Sequence, residues 1–299
     1  MHKKIIIAVV VTYNRKKLVK KTIDAIKNQS RKLDKIILID NASSDGTHTE
    51  LQTLGYCTDK SIEYVRMNEN SGGAGGFNEG MKRALEANAE WIWVMDDDVA
   101  PEHDCLEQLL NWTYISECIH PRKYYPDGTE MKWETWLDIY SGSQTYLPCP
   151  SFRNGKQIFF TNVACFEGLL VSSRIVHTIG LPNQHYFIGH DDTLFGLKAS
   201  FHTNVSVVSS AKINKLLQNN IQTPSWKDYY LTRNSFYLFK DACEYIGIQI
   251  NFGHKIYFTS IRILRLLSRL IKNDARFFTS IHGLFDGCRY IFSKKISRP

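Results

Sequence analysis

The sequence predicts an α/β protein: a mostly parallel sheet covered by helices, with a helical extension at its C-terminus. Three observations carry that expectation. Short β-branched apolar runs alternate with segments of helical period over the first hundred residues. Each run ends in a polar or glycine-rich turn. After Gly247 the chain becomes basic and amphipathic. With 299 residues, 43% hydrophobic and 22% charged, it can bury a large core, which excludes a disordered or collagen-like chain.

In chain order, Ile5–Val11, Ile36–Ile39, Ile62–Val65 and Trp91–Met95 read as strands. Between them, 16–28, 47–54 and 77–87 read as helices, the first with Leu18, Val19, Ile23 and Ile26 on one face. Strand–helix alternation argues for parallel strands buried on both faces. From about 119 to 155 the pattern breaks into Pro, Gly, Tyr and Trp, which reads as a large loop region over the sheet edge. Strands are expected again at 158–166 and 169–171, and helices at 173–179, 193–202 and 226–245. The expected organisation is one domain over 1–240, with halves at 1–118 and 119–240, and a basic helical region over 241–299. Seven cysteines without CxxC pairing suit a reducing compartment, and the N-terminal apolar run is too short for a spanning helix.

Ligands of such sheets bind beyond the carboxyl ends of the strands, so the turns there carry the chemistry. Three adjacent carboxylates, Asp96, Asp97 and Asp98, repel one another unless a cation or donors compensate. On an extended chain Asp96 and Asp98 project to one side and suit a hard ion, Mn²⁺ or Mg²⁺. Helix capping ahead of Pro101 is the alternative. The four glycines of 70–77 read as a phosphate cradle or as a tight turn. They match neither the dinucleotide fingerprint nor a Walker loop. Arg15 has a planar fork suited to a diphosphate, or is a solvated surface residue. Asp40 and Asn41 offer polar groups to a base or ribose, yet also make good turn chemistry. His190-Asp191-Asp192 supplies a general base or, again, a helix cap.

Together these motifs resemble the family 2 glycosyltransferases of the GT-A fold, over about residues 4–240. The elements are VVVTYNR, LIDNASSDGT, the DXD-type DDD at 96–98, and FEGLLVSSRIVHTIGLP leading to FIGHDD. NENSGGAGGFNEG, WIWVMDDDV, DDTLFGLKA and YYLTRN look most like bacterial galactofuranosyltransferases and their rhamnosyltransferase relatives. The resemblance implies a nucleotide-sugar half over 1–118 and an acceptor half over 119–240. Thr12, Tyr13 and Arg15 would line the diphosphate, Asp40 and Asn41 the uridine, and Asn70, Gly75 and Gly76 would close over the donor. Asp96 and Asp98 would hold the metal, Asp97 would face the sugar, and Asp192, rather than its neighbour Asp191, would be the base. It implies an inverting displacement using a UDP-sugar, UDP-galactofuranose first and dTDP-rhamnose as the alternative, with a glycan or lipid-linked glycan as acceptor in cell-surface synthesis such as that of O-antigen.

Two departures stand out. Leu194 occupies a position that is often acidic, and 207–216 contains no histidine to complete the metal shell, offering Asn214 or Lys215 instead. Either the shell is incomplete or a basic side chain takes part of the ion's role, with His190 and His202 as substitutes. A nucleotidyltransferase would place its glycine loop after the first strand, where this chain has TYNR; a scaffold without turnover is the non-enzymatic rival.

From Asn251 onward, ten Lys/Arg face two Asp, which leaves the preceding residues near neutrality. Arg262, Arg265, Arg269, Lys272 and Arg276 fall at helical steps of three and four. They predict a helix lying on an anionic membrane, at the inner face of the cytoplasmic membrane, or else one packed on the domain with solvated cations. The acidic loops exclude nucleic acid as a partner. Oligomeric state is not specified by these motifs.

Overall fold

The computed structural model describes residues 4–147, 152, 155–218 and 225–293. One large mixed sheet organises the chain, in the order β3-β2-β1-β4-β10-β6-β11-β5, with β9 paired to β11. Its first four members in sequence, β1 (Ile6–Thr12), β2 (Lys35–Asp40), β3 (Ile62–Arg66) and β4 (Trp91–Asp96), are mutually parallel. Beyond β4 the sheet is mixed. β10 (Leu169–Ser172) runs antiparallel to β4 and to β6 (Ser116–Tyr124), and β11 (Asn204–Lys215) runs parallel to β6 but antiparallel to β5 (Val99–Pro101) and β9 (Ile158–Thr161).

All seven residues of β1 are buried, because alternate side chains serve opposite layers. Ile6, Ala8 and Val10 pack with Val19, Ile23 and Ile26 of α1 (Lys16–Lys27) and with α4 (Cys105–Leu110). Ile7, Val9 and Val11 pack with Phe77, Met81 and Ala84 of α3 (Gly72–Glu86), next to α5 (Ser173–Ile179) and α6 (Asp191–Ser200). The helix α2 (Thr47–Thr53) completes the N-terminal half. A hairpin of β7 (Thr135–Asp138) and β8 (Ser143–Tyr146) stands apart from the main sheet. Three long helices, α7 (Ser225–Tyr245), α8 (Phe252–Ile271) and α9 (Arg276–Phe292), share a cluster built on Phe236, Phe239, Phe258, Leu266 and Leu284.

Several expectations change here. The segment expected as loop from 119 onward contains β6, a strand in the middle of the sheet. The expected boundaries at 118/119 and 240/241 fall inside β6 and inside α7, so neither separates two units. The helix expected from Phe77 begins at Gly72, which puts the glycine cluster inside its first turns. A Cβ on Gly76 would stand 2.5 Å from Val11, and one on Gly80 2.3 Å from Val9. These glycines let α3 lie close on β1. Residues 148–151, 153 and 154 of the expected loop, and Lys294, Lys295 and Arg298 of the basic tail, lie outside the described residues.

Gly196 makes the tightest helix-to-backbone contact, since its Cβ would come within 1.9 Å of the Ala164 amide nitrogen. Backbone cannot yield as a flexible side chain can. Gly196→Ala is therefore expected to cost ~1–3 kcal/mol or more, read as a melting temperature lowered by several degrees.

Candidate active site

Strand register assembles the site. The parallel pairings align Thr12 with Asp40, Asp40 with Arg66, and Val11 with Asp96, so the polar tips of the four strands lie along one edge. β10 enters that edge from the opposite direction. Leu169 pairs with Val94, and Gly168 donates its amide to the Val94 carbonyl at 2.8 Å. Two residues further back, that register carries Glu167 to Asp96. β11 and β6 end at the same edge and bring in Lys215 and Lys123.

The result is an acidic trio, Asp96, Asp98 and Glu167, each offering a carboxylate oxygen within 4.8 Å of the others. Lys215 Nζ donates to Asp98 Oδ1 at 2.9 Å and to Glu167 Oε1 at 2.6 Å. Lys123, fully buried beneath Trp133, donates to Glu167 Oε2 at 3.0 Å and to Cys165 Sγ at 2.6 Å. Burial would raise the Glu167 carboxyl, but the two lysines outweigh it and hold it at about 2. Asp96 goes the other way: burial first, then the charges of Glu167 and Asp98, push its carboxyl well above the usual range. One acid of the trio is thus left short of positive charge. Three hard oxygens with an uncompensated carboxyl fit a divalent cation such as Mn²⁺ or Mg²⁺.

Asp97 turns away from the trio. Its Oδ2 accepts from Thr12 Oγ1 at 2.6 Å and from the Tyr13 amide at 3.2 Å, which ties the first loop to β4. Burial raises its carboxyl to about 6 despite these donors and the nearby Arg15 charge. In this structure Asp97 makes a bracing contact. Arg15 is exposed at the start of α1, and Tyr13 is also exposed.

Asp40 and Asn41 are 0% and 1% exposed. Asp40 accepts from the Ser43 amide and from Tyr64 Oη, and Asn41 joins Asn70, Ser71 and the Gly72 carbonyl. These internal bonds fix the loop between β2 and α3, the segment expected from sequence to meet the uridine. Gly75 and Gly76 are buried within α3, which removes the expected glycine flap; Gly72, with φ +72°, lies against the Phe187 carbonyl.

Across the edge stands the start of α6. His190 adopts φ +68° before the helix, and the next two residues, Asp191 and Asp192, differ in their surroundings. Asp191 is buried; burial and the adjacent Asp192 charge raise its carboxyl to about 8, against the backbone amides of 189, 191 and 192. It is the first helical residue, behind His190 at the cap position, where acidic side chains suit the positive helix end. Asp192 is less enclosed, accepts the Thr193 amide at 2.6 Å through Oδ1, and senses the charges of Lys123 and Glu167. Burial raises its carboxyl too, with Thr193 and Lys123 opposing. The charge of Glu167 acts on both Asp96 and Asp192, so the second acidic cluster, almost a hundred residues on in sequence, lies within electrostatic range of the trio.

Glu167 and Lys123 carry no single-residue signal in the sequence, although Glu167 lies within the FEGLL motif. Lys215 was named there as a stand-in for the missing histidine, and it does occupy the trio. His202 instead bonds Tyr245 Oη, and His190 lines a cavity with Arg262, so neither joins the trio. Leu194 is buried among Val163, Tyr186, Leu197 and Leu238.

The profile described as Glycosyl transferase family 2 matches residues 7–171. Galactofuranosyltransferase GlfT1 of Mycolicibacterium smegmatis is 42% identical over 208 residues, covering 64% of this chain and 64% of its own length. A Campylobacter jejuni protein named GalNAc(5)-diNAcBac-PP-undecaprenol beta-1,3-glucosyltransferase is 34% identical over 279 residues, 85% of this chain and 87% of its own. Among solved structures, GalNAc-T7 with UDP, GalNAc and Mn²⁺ superposes with TM-score 0.63 at 12% identity, over 80% of this chain and 48% of that one. S. aureus TarS 1-349 with UDP-GlcNAc gives 0.55 at 14% identity, over 96% and 90%. The architecture is the GT-A fold expected from the sequence. With the profile spanning more than half of it and one relative aligned along most of its length, the chain belongs to glycosyl transferase family 2.

Proposed function

We propose that this protein is a metal-dependent, inverting glycosyltransferase that moves galactofuranose from UDP-galactofuranose to a hydroxyl of a lipid-linked or polysaccharide acceptor. The observation that carries the reading is the acidic trio at the strand tips, with Asp192 in electrostatic range of its Glu167. The 42% identical galactofuranosyltransferase supports the donor, and the name of the C. jejuni relative supports a diphospholipid-linked acceptor.

In this mechanism Asp96, Asp98 and Glu167 would hold a divalent ion, which would supply positive charge against the donor diphosphate. Lys215 adds fixed positive charge at the same place, and Arg15 reaches the diphosphate from the first loop. Thr12 and Asp97 hold that loop, while Asp40, Asn41 and Asn70 shape the nucleotide side from beneath. Asp192 accepts the acceptor hydroxyl's proton as the oxygen attacks the anomeric carbon; the carbon–diphosphate bond breaks and its electrons leave with UDP. The test is UDP release from UDP-galactofuranose, UDP-glucose and dTDP-rhamnose, with Mn²⁺ and with chelator. Fastest turnover of UDP-galactofuranose, dependent on metal, is expected. Turnover of dTDP-rhamnose alone overturns the donor, and pyrophosphate release from UTP and a sugar phosphate overturns the class.

Ionised Asp192 is the active form, and its carboxyl is raised, so kcat is expected to fall on acidification with an apparent pKa above the ~3.9 of a free aspartate. A pH profile whose acid limb begins below pH 4 would count against Asp192.

The membrane reading changes in geometry. Arg262 and Arg269 of α8 turn inward, and the exposed side carries Ile263, Leu264, Leu267, Leu270 and Ile271. No helix among the described residues is long and apolar enough to cross a membrane. We infer a peripheral position at the inner face of the cytoplasmic membrane, with this apolar side in the lipid interface and Arg265 and Lys272 at its border. Flotation with anionic liposomes should then survive high salt and be lost in Leu264→Glu/Leu267→Glu. Release by salt alone would point to purely electrostatic attachment.

A further inference from the structure

A cavity of about 330 Å³ opens between α7, α8 and the hairpin, on the side of α6 where His190 precedes the two aspartates. Its cationic wall is Arg262, Arg265 and Arg269, spaced along one face of α8, and among the described residues no carboxylate lines it. Arg262 is only 6% exposed, stacks over Phe258 at 3.5 Å and donates to the carbonyls of Ser141 and Gly142. Its Nε is buried with no hydrogen-bond partner, and among the described residues neither Arg262 nor Arg265 has an ion-pair partner. Arg269 is engaged, with Ser280 and with Asp228 at 3.5 Å.

A buried guanidinium without a counter-charge is costly, and proteins normally pair it. Burial, then the charge of Arg265, lowers the Arg262 guanidinium to about 9, and burial with Arg262 lowers His190 to about 4. Both directions describe a place short of negative charge. We propose that this cavity binds a phosphate or diphosphate group, gripped by Arg262 and Arg265, as the anionic part of the acceptor. Guanidinium forks suit phosphate oxygens, and the neutral His190 ring adds a polar wall one residue from the Asp191-Asp192 pair. Leu231, Leu238 and Leu266 line the same cavity, and the exposed apolar side of α8 lies on the helix that supplies the arginines. A prenyl diphosphate would thus place its headgroup under α8 and its chain along it. The word acceptor rests on the function proposed above; the anion site does not.

The test is calorimetric titration of inorganic pyrophosphate and of farnesyl diphosphate into the full chain with UDP saturating. Arg265→Glu is the main variant, because Arg265 is exposed and bonded to no described residue, so the fold does not depend on it. Arg262→Lys keeps the charge and removes the fork. At least tenfold weaker binding of both probes in Arg265→Glu, with UDP affinity unchanged within twofold, is expected. Tenfold tighter binding of farnesyl diphosphate than of pyrophosphate identifies a lipid headgroup, and equal affinities identify a soluble anion; either supports the site. Wild-type pyrophosphate affinity in both variants overturns it, as does a parallel loss of UDP binding. Failure of the transferase reading shows separately, as absence of UDP release from every donor.

Discussion

The Asp192→Asn variant is expected to lose about 10²–10⁴-fold in kcat while its affinity for UDP stays within twofold of wild type. Asparagine is isosteric and can still accept the Thr193 amide through its Oδ1, so the start of α6 keeps its geometry. It cannot take up the hydroxyl proton. Asp191→Asn should behave differently. That carboxyl is held protonated up to about pH 8, so replacing it by a neutral amide changes little in the charge of the site at neutral pH. The sign of its stability effect follows. An acid whose folded pKa is raised favours the fold while protonated, below its ordinary value, and that contribution is lost as pH rises toward 8. Asp191→Asn should therefore flatten the fall in melting temperature as pH rises from about 4 to about 8, and it should leave kcat within about tenfold. Equal losses of kcat in the two variants would remove the division of labour between them.

At the other end of the reaction, Asp98→Ala is expected to lower kcat/KM by about 10²–10³-fold, the usual consequence of losing one preorganised stabiliser of leaving-group charge. Asp98 both belongs to the trio and anchors Lys215, so its removal disturbs two cationic contributions together. Lys215→Met separates them. Without the ammonium, Asp98 and Glu167 are freed for a divalent ion, so Mn²⁺ binding to the free protein should tighten, read from the loss of the free-ion EPR signal. Turnover should nonetheless fall, because fixed charge at the diphosphate is gone. Unchanged Mn²⁺ affinity in Lys215→Met would mean that the lysine and the ion do not share these oxygens.

The parallel half of this fold was legible because its strands are unbroken apolar runs, as in Ile6–Thr12 and Trp91–Asp96, and because each ends at a polar tip. β6 was hidden by its composition. It carries His120, Pro121 and Lys123 in the centre of a sheet, and a reading that counts apolar residues passes over them. The structure accommodates each one. Lys123 is satisfied by Glu167 and Cys165, and His120 stays neutral between the Ser206 carbonyl and the Cys165 amide. Beyond the pairing of Pro121 with Val208, the β11 register shifts, which absorbs the missing amide. The glycines at 72, 73, 75 and 76 looked like a loop because helix propensity disfavours them, yet close packing of Gly76 on Val11, continued by Gly80 on Val9, needs small residues there.

The site was legible in its acids and obscure in its geometry. Asp96, Asp98 and Asp192 stood out because carboxylates after apolar runs have few structural reasons to cluster. Glu167 did not, since a single acid before glycine carries no signal until strand register sets it beside Asp96. The periodicity of α8 was correct, but period alone does not say which face turns inward. Arg262 faces the body because Ser141 and Gly142 present carbonyls there, a contact between segments some 120 residues apart.

The most direct measurement is a crystal structure of the Asp192→Asn variant soaked with UDP-galactofuranose and Mn²⁺, using the manganese anomalous signal. The expected result is one manganese peak between Asp96, Asp98 and Glu167, the diphosphate beside Lys215, and the anomeric carbon facing residue 192 across a gap the size of a hydroxyl. Manganese at another site, or a donor whose sugar points away from α6, would contradict a single pocket shared by the two acidic clusters.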